Sequence, residues 1–202
     1  MLVDSPPIGI DAWQFNRSLD AAPVAPPLLP VIAERGGTQI QAPKATLIVD
    51  TREQIPFAMS HFRGWFKAIK HRALKIGDYS IEGLEDHCTV ERKDLPDLIH
   101  SFTTNRAVFV KRLRRMGEFP HRLLVVSSPL SEVKSRYGAF SIDPNRITQS
   151  LIATLVGAGV PFLCADTHEL GAEIVASYLY QVHLYHWLES NDHGRYFADS
   201  DL

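Results

Sequence analysis

The chain is short of several things that would fix its class at once. It has two cysteines, Cys88 and Cys164, in 202 residues, too few for a disulfide framework, and their neighbours Val90, Phe162 and Leu163 suggest small buried thiols in a reducing, intracellular setting. No stretch approaches the roughly 18 consecutive apolar residues of a membrane span, and no basic-then-apolar leader opens the chain. The expectation is therefore a non-membrane, non-secreted protein. There is no GxxxxGK[ST] loop, which disfavours nucleotide hydrolysis by that route, and no internal repeat. An excess of charge of one sign is also missing. The net formal charge is −2, so any affinity for a polyanion must come from how charge is distributed.

What is present divides into three parts. Residues 1–43 are rich in proline and alanine (Pro6, Pro7, Pro23, Pro26, Pro27, Pro30, Pro43) and read as an extended or disordered tail, with Trp13 and Phe15 as a small aromatic island. Residues 44–189 alternate short apolar runs with helical periods, the pattern of an α/β fold with a sheet covered by helices. Residues 190–202 form a polar C-terminal tail.

Within the central part, Leu47-Ile48-Val49 reads as a buried strand ending at Asp50, residues 66–74 as a second strand, residues 87–92 as a third after a turn at Gly77 and a polar loop, and residues 123–127 and 160–165 as two more. Asp94 should cap a helix with Pro96 and Asp97 in its first turn. A second helix is expected over 105–118, with Val108, Leu113 and Met116 inward. A third opens at Asp143-Pro144, with Ile147, Leu151, Leu155 and Ala158 on its apolar face. A last spans 168–188, with Leu170, Ile174, Tyr178, Val182 and Tyr185 on one face.

The segment that carries chemistry is Gly77-Asp78-Tyr79 followed, after roughly ten residues, by Val90-Glu91-Arg92-Lys93. On a strand Glu91 and Lys93 share a face. Asp78, at the end of the preceding hairpin strand, then sets a second carboxylate beside Glu91, and Asp50 is within reach if the first strand lies alongside. Carboxylates so gathered suit a hard divalent ion, Mg²⁺ or Mn²⁺, and phosphodiester hydrolysis is the chemistry such an ion serves. Lys93 would orient water and meet developing charge; Arg52 would clamp a phosphate bidentately and Glu53 complete the charge network. Two blocks without acids flank this cluster, one with Arg63, Lys67, Lys70, Arg72 and Lys75 and one with Arg106, Lys111, Arg112, Arg114 and Arg115, and would make a positive rim for a phosphate backbone. His183 and His186, interleaved with aromatics on the last helix, read as packing or partner-facing groups.

These residues resemble a known family. Val49-Asp50-Thr51-Arg52-Glu53, Gly77-Asp78-Tyr79 and Val90-Glu91-Arg92-Lys93 with Asp97-Leu98-Ile99 and Ser101-Phe102 are similar to the nuclease domain of the XPF family of structure-specific endonucleases, whose motif is GDx(n)ERKx(3)D. The resemblance covers about residues 46–188. It implies a restriction-endonuclease-like central mixed sheet flanked by helices, a divalent metal, and cleavage of branched or flap DNA in repair, recombination or phage replication. By position Asp50, Asp78 and Glu91 match the metal-site acids and Lys93 the catalytic lysine, with Arg52, Glu53, Arg92 and Asp97 in supporting roles. Pairing as a homodimer or heterodimer through the C-terminal helices is implied as well. A nucleoid or cytoplasmic site is expected for a bacterial or phage protein and a nuclear one for a eukaryotic protein. Neither the helix-hairpin-helix module nor the helicase of many members is found in this sequence, which puts junction selectivity in doubt. The alternatives are a non-catalytic DNA-binding or dimerisation scaffold of the same fold, or a less selective nicking nuclease.

Overall fold

The computed structural model describes residues 32–33, 39–135 and 142–192. Most of the expected N-terminal tail, with Trp13 and Phe15, and the end of the C-terminal tail lie outside the described residues. The part of the N-terminal segment that is described contains a small antiparallel pair, β1 (Ile32–Ala33) and β2 (Gln39–Ile40), where no strand was expected.

Next come β3 (Thr46–Val49), a 3₁₀ turn at Met59–Phe62, β4 (Ala68–His71), β5 (Tyr79–Ile81), β6 (Cys88–Lys93), α1 (Leu95–Phe102), α2 (Arg106–Met116), β7 (His121–Val126), α3 (Leu130–Val133), α4 (Pro144–Ala158), β8 (Phe162–Cys164) and α5 (His168–Ser190). Six strands form one mixed sheet in the order β4-β3-β5-β6-β7-β8. β3 runs parallel to β4 and antiparallel to β5, β5 antiparallel to β6, and β6, β7 and β8 are parallel. The mixed α/β sheet covered on both faces is the architecture expected from the sequence.

Strand alternation sends residues to two cores. Leu123 and Val125 of β7 join Val49, Tyr79, Val90, Val175 and Leu179 under α5. Leu124 and Val126 join Leu98, Phe109, Leu113, Ile147 and Leu151 under α1, α2 and α4. The caps read from sequence are in place. Asp94 accepts from the Asp97 N–H at 2.9 Å and Asp143 from the Asn145 N–H at 2.9 Å, each ahead of a proline in the first turn. α4 ends on Gly159 at φ 64°, a left-handed position suited to glycine.

Several expectations change. The strand expected over 66–74 shrinks to Ala68–His71: Phe66 is buried in the core before it, and after it the chain turns so that the Leu74 N–H donates to Asp50 Oδ2. Asp78 stands just before β5 and opens the hairpin with β6. In α2 Leu113 and Met116 are buried as expected, but Phe109 joins them in place of Val108, which is 64% exposed. α4 buries Ile147, Ser150, Leu151 and Thr154 and leaves Leu155 in solvent. α5 turns Ala172, Val175, Ala176 and Leu179 inward; of the expected stripe only Val182 is buried. Small side chains let this face approach the sheet closely, a signal that a count of large apolar residues misses. Cys88 is buried as expected, but Cys164, on the edge strand β8, is only partly so. Among the described residues no helix is long and apolar enough to cross a membrane.

Candidate active site

The central strand β6 carries Glu-Arg-Lys, and its pleat separates the three. Glu91 and Lys93 face the side of α1 and α2, whereas Arg92 faces the opposite core, its guanidinium 5.4 Å from the centre of the Phe57 ring and Nη1 3.3 Å from Glu53 Oε1. Glu53 is held in turn by the Ile55 N–H at 2.9 Å. Arg92 and Glu53 therefore brace the loop after β3.

Asp78 reaches Glu91 because of the turn before it. Gly77 has φ 81°, and a Cβ there would lie 2.0 Å from Thr89 Oγ1 and 2.9 Å from Val90 O. Only glycine allows so close an approach. The Asp78 N–H then donates to Val90 O at 2.7 Å, and Asp78 Oδ2 accepts from the Arg92 N–H at 2.7 Å. Burial, and next the Glu91 charge, push the Asp78 carboxyl up to about 7 against the pull of the Arg92 N–H and of Arg112.

Glu91 is fully buried. Lys93 Nζ lies 3.0 Å from its Oε1, and Arg112 Nη2 from α2 lies 2.8 Å from its Oε2 and 3.7 Å from Asp78 Oδ1. These are ion-pair contacts through space; neither Glu91 oxygen receives a well-directed hydrogen bond. Two carboxyl groups thus face two cations, Lys93 and Arg112. Lys93 Nζ also lies 5.6 Å from the centre of the Phe109 ring.

Asp50 stands apart from this pair. Its backbone N–H donates to Asp78 O at 2.8 Å, so the two acids are neighbours, but its carboxylate is engaged. Oδ1 accepts from Arg52 N at 2.7 Å and Arg52 Nε at 2.9 Å, and Oδ2 from Arg52 Nη2 at 2.8 Å and Leu74 N at 2.6 Å. The Arg52 side chain leads in holding the Asp50 carboxyl down at about 2. The three-carboxylate cage expected from the sequence is therefore present here as the pair Asp78 and Glu91, and among the described residues no group of three metal-ligating side chains converges. The Arg52 fork, expected to clamp a phosphate, is occupied by Asp50 and the Leu74 carbonyl.

A cleft of about 680 Å³ opens over this cluster, lined by Asp50, Arg52, Glu53, Asp78, Arg92, Lys93 and Asp97 together with Lys75, Lys111, Arg112 and Arg115. Asp97 is exposed at its edge, and Ile55 and Val108, 59% and 64% exposed, add apolar surface to its walls. The expected basic rim is divided. Lys75, Lys111, Arg112 and Arg115 reach the cleft, Lys75 with Asp86 at 3.2 Å. Arg63 and Lys67 line a different cavity, beside the 3₁₀ turn and β4. Arg106 Nη1 donates to Ser150 Oγ at 2.9 Å and ties α2 to α4, and Arg114 is exposed outside the cleft lining. Lys70 and Arg72 pair with Glu82 and Glu85. His183 Nε2 lies 2.7 Å from Pro43 O and the His186 ring is tilted against the His87 ring with centroids 5.8 Å apart, both away from the cleft lining. Sequence reading identified Arg112 only as one basic residue among five; nothing in helical spacing says which of them crosses to the carboxylates.

A family model described as the ERCC4 domain matches residues 49–178. The structure of XPF from Aeropyrum pernix is similar at a TM-score of 0.55 and 17% identity, over 73% of this chain and 68% of that one. The same protein in complex with DNA is similar at 0.54 and 19%, over 69% of this chain and 64% of that one. At these identities the likeness concerns the fold. No curated protein matches the sequence. With the matched region running from the last residue of β3 to the middle of α5 and holding every acid of the cleft, the chain belongs to the ERCC4-domain family.

Proposed function

We propose that this chain is a metal-dependent DNA endonuclease whose working groups are Asp78, Glu91 and Lys93. The observation that carries the reading is a carboxylate pair with a lysine at its side: Asp78 and Lys93 line a cleft edged by Lys75, Lys111 and Arg115, and Glu91 lies buried behind them. The residues fit a hard cation. Both Glu91 oxygens are buried without a directed hydrogen bond, and among the described residues no hydrogen bond holds Asp78 Oδ1, which faces Arg112 at 3.7 Å, so both acids have acceptor capacity for an oxygen-seeking ion.

Asp78 and Glu91 would hold the metal. When bound, Mg²⁺ or Mn²⁺ supplies Lewis-acid charge to the phosphate and lowers the pKa of water. The chain's own groups do the rest. Lys93, anchored by Glu91, orients water and meets the negative charge that develops on the phosphate. Arg92 fixes Asp78 through its backbone N–H. Asp50 positions Arg52 and the turn at Leu74, so its part is to hold the cleft wall. Lys75, Lys111 and Arg115 draw the DNA backbone in by charge.

Branched or flap DNA is the substrate class proposed, resting on family membership. Dimerisation is proposed from apolar side chains exposed late in the domain: Ile152, Leu155 and Val156 of α4, Leu163 on the edge strand β8 and Leu170 at the start of α5. The test is a panel of labelled 3′-flap, fork, nicked and plain duplex DNA incubated with Mg²⁺, Mn²⁺ or EDTA. Metal-dependent cutting with a flap preference supports the reading. Cutting of all four alike supports a nicking nuclease, and tight binding without cutting supports the scaffold.

A further inference from the structure

The metal-site reading leaves one residue unexplained. Arg112 is 37% exposed and lines the cleft, whereas Glu91 is fully buried and does not. Its guanidinium lies against Glu91 Oε2 at 2.8 Å and faces Asp78 Oδ1 at 3.7 Å. It therefore occupies the approach through which an ion would have to bridge the two acids. Carboxylate oxygens ligate Mg²⁺ at about 2.0–2.1 Å, so an ion held by both these oxygens and a guanidinium 2.8 Å from one of them compete for the same space and the same charge.

We infer that Arg112 is a built-in counter-ion that closes the Asp78–Glu91 pair in the metal-free protein and must swing into the cleft for a divalent cation to enter. The inference rests on the proposed metal centre. It assigns Arg112 a role that Lys111 and Arg115, its neighbours on the cleft wall, do not share, since neither has an ion pair with the acids among the described contacts. Released, the guanidinium stays on α2 beside Lys111 and Arg115, where it adds one positive charge to the surface that meets phosphates. Metal entry and the strengthening of the DNA-binding surface thus become one event. The side chain is suited to this, because its base on α2 is fixed through the buried neighbours Leu113 and Phe109 while its head is partly in solvent.

The test needs no DNA and no turnover. Mn²⁺ affinity is measured by calorimetry on the full chain for wild type, Arg112→Gln, Arg112→Lys and, as a control for net charge, Arg146→Gln on α4. Arg112→Gln should bind Mn²⁺ about tenfold more tightly, and it should melt lower than wild type in EDTA but regain the difference in Mn²⁺. Arg112→Lys and Arg146→Gln should stay near wild type. Equal or weaker binding by Arg112→Gln overturns the inference and leaves the metal centre standing. Absence of Mn²⁺ binding in both wild type and Arg112→Gln overturns the metal centre, and the inference with it. A measurement without a variant guards against misfolding: the Arg112 side-chain ¹⁵Nε–H resonance of wild type should shift on titration with Mg²⁺, and a resonance unmoved at saturation refutes the swing.

Discussion

Gly77→Ala should damage the protein more than any other glycine-to-alanine change in the hairpin region. An L-residue at φ 81° costs about 1–2 kcal/mol from handedness alone. The new Cβ would also stand 2.0 Å from Thr89 Oγ1 and 2.9 Å from Val90 O. Neither neighbour can retreat. Thr89 is fully buried and stiff at its β-branch, and Val90 O belongs to the central strand. The turn must lift instead, which stretches the Thr89 hydroxyl bond to Ile76 O and the Asp78 N–H bond to Val90 O, each worth about 1 kcal/mol. The total is about 3–4 kcal/mol, and Asp78 moves off Glu91. Gly83→Ala is the control: its φ is 86°, but no atom lies within 4 Å of the added Cβ, so it carries the handedness cost alone. Urea unfolding in EDTA and single-turnover cleavage are the assays. Gly77→Ala should unfold at clearly lower urea than Gly83→Ala and lose cleavage, while Gly83→Ala cuts normally. Equal midpoints and equal cleavage for the two would refute the reasoning.

Three further outcomes follow from the same geometry. The Asp50 carboxyl is held at about 2 in the fold against 3.8 when free, so its contribution to stability is present above pH 4 and is lost as pH falls toward 2; with Arg52 64% exposed and partly screened it amounts to at most about 2 kcal/mol, and Asp50→Asn should flatten that part of the acid-unfolding curve. Lys111→Ala should weaken binding to flap and duplex alike and lower the slope of log affinity against log salt by about 1; a loss confined to one DNA structure would place Lys111 in selectivity instead. Val156→Asp, at an 80% exposed position, should weaken self-association about tenfold or more by sedimentation, and a wild type that is monomeric at every concentration would remove the homodimer form of the proposed dimer.

The strands were legible where apolar runs are unbroken, as in Leu123–Val126, and the helix starts where Asp94 and Asp143 precede prolines. They were illegible where tertiary packing overrides pattern. The strand expected over 66–74 is cut to Ala68–His71, with Phe66 buried in the core before it and Leu74 drawn to Asp50 after it, and α5 turns Ala172, Val175, Ala176 and Leu179 inward while Ile174 and Tyr178 pack at the margin of the core and Leu170 is exposed. In the site, the alternation of Glu91 and Lys93 and the neighbourhood of Asp78 followed from strand geometry and the motif. What sequence could not supply is how partners are allotted: the Asp50 carboxylate satisfied by Arg52 and Leu74, and Arg112 crossing from another element. Those choices depend on where helices and loops dock, and no local spacing encodes them.

The central claim is tested most directly by single-turnover cleavage of a labelled flap in Mg²⁺ by wild type and Glu91→Gln, a change that keeps the volume of a fully buried side chain and removes its charge. The account predicts cleavage by wild type that disappears in EDTA and falls at least about 100-fold in Glu91→Gln, with DNA binding retained. Cleavage by Glu91→Gln at the wild-type rate would contradict it.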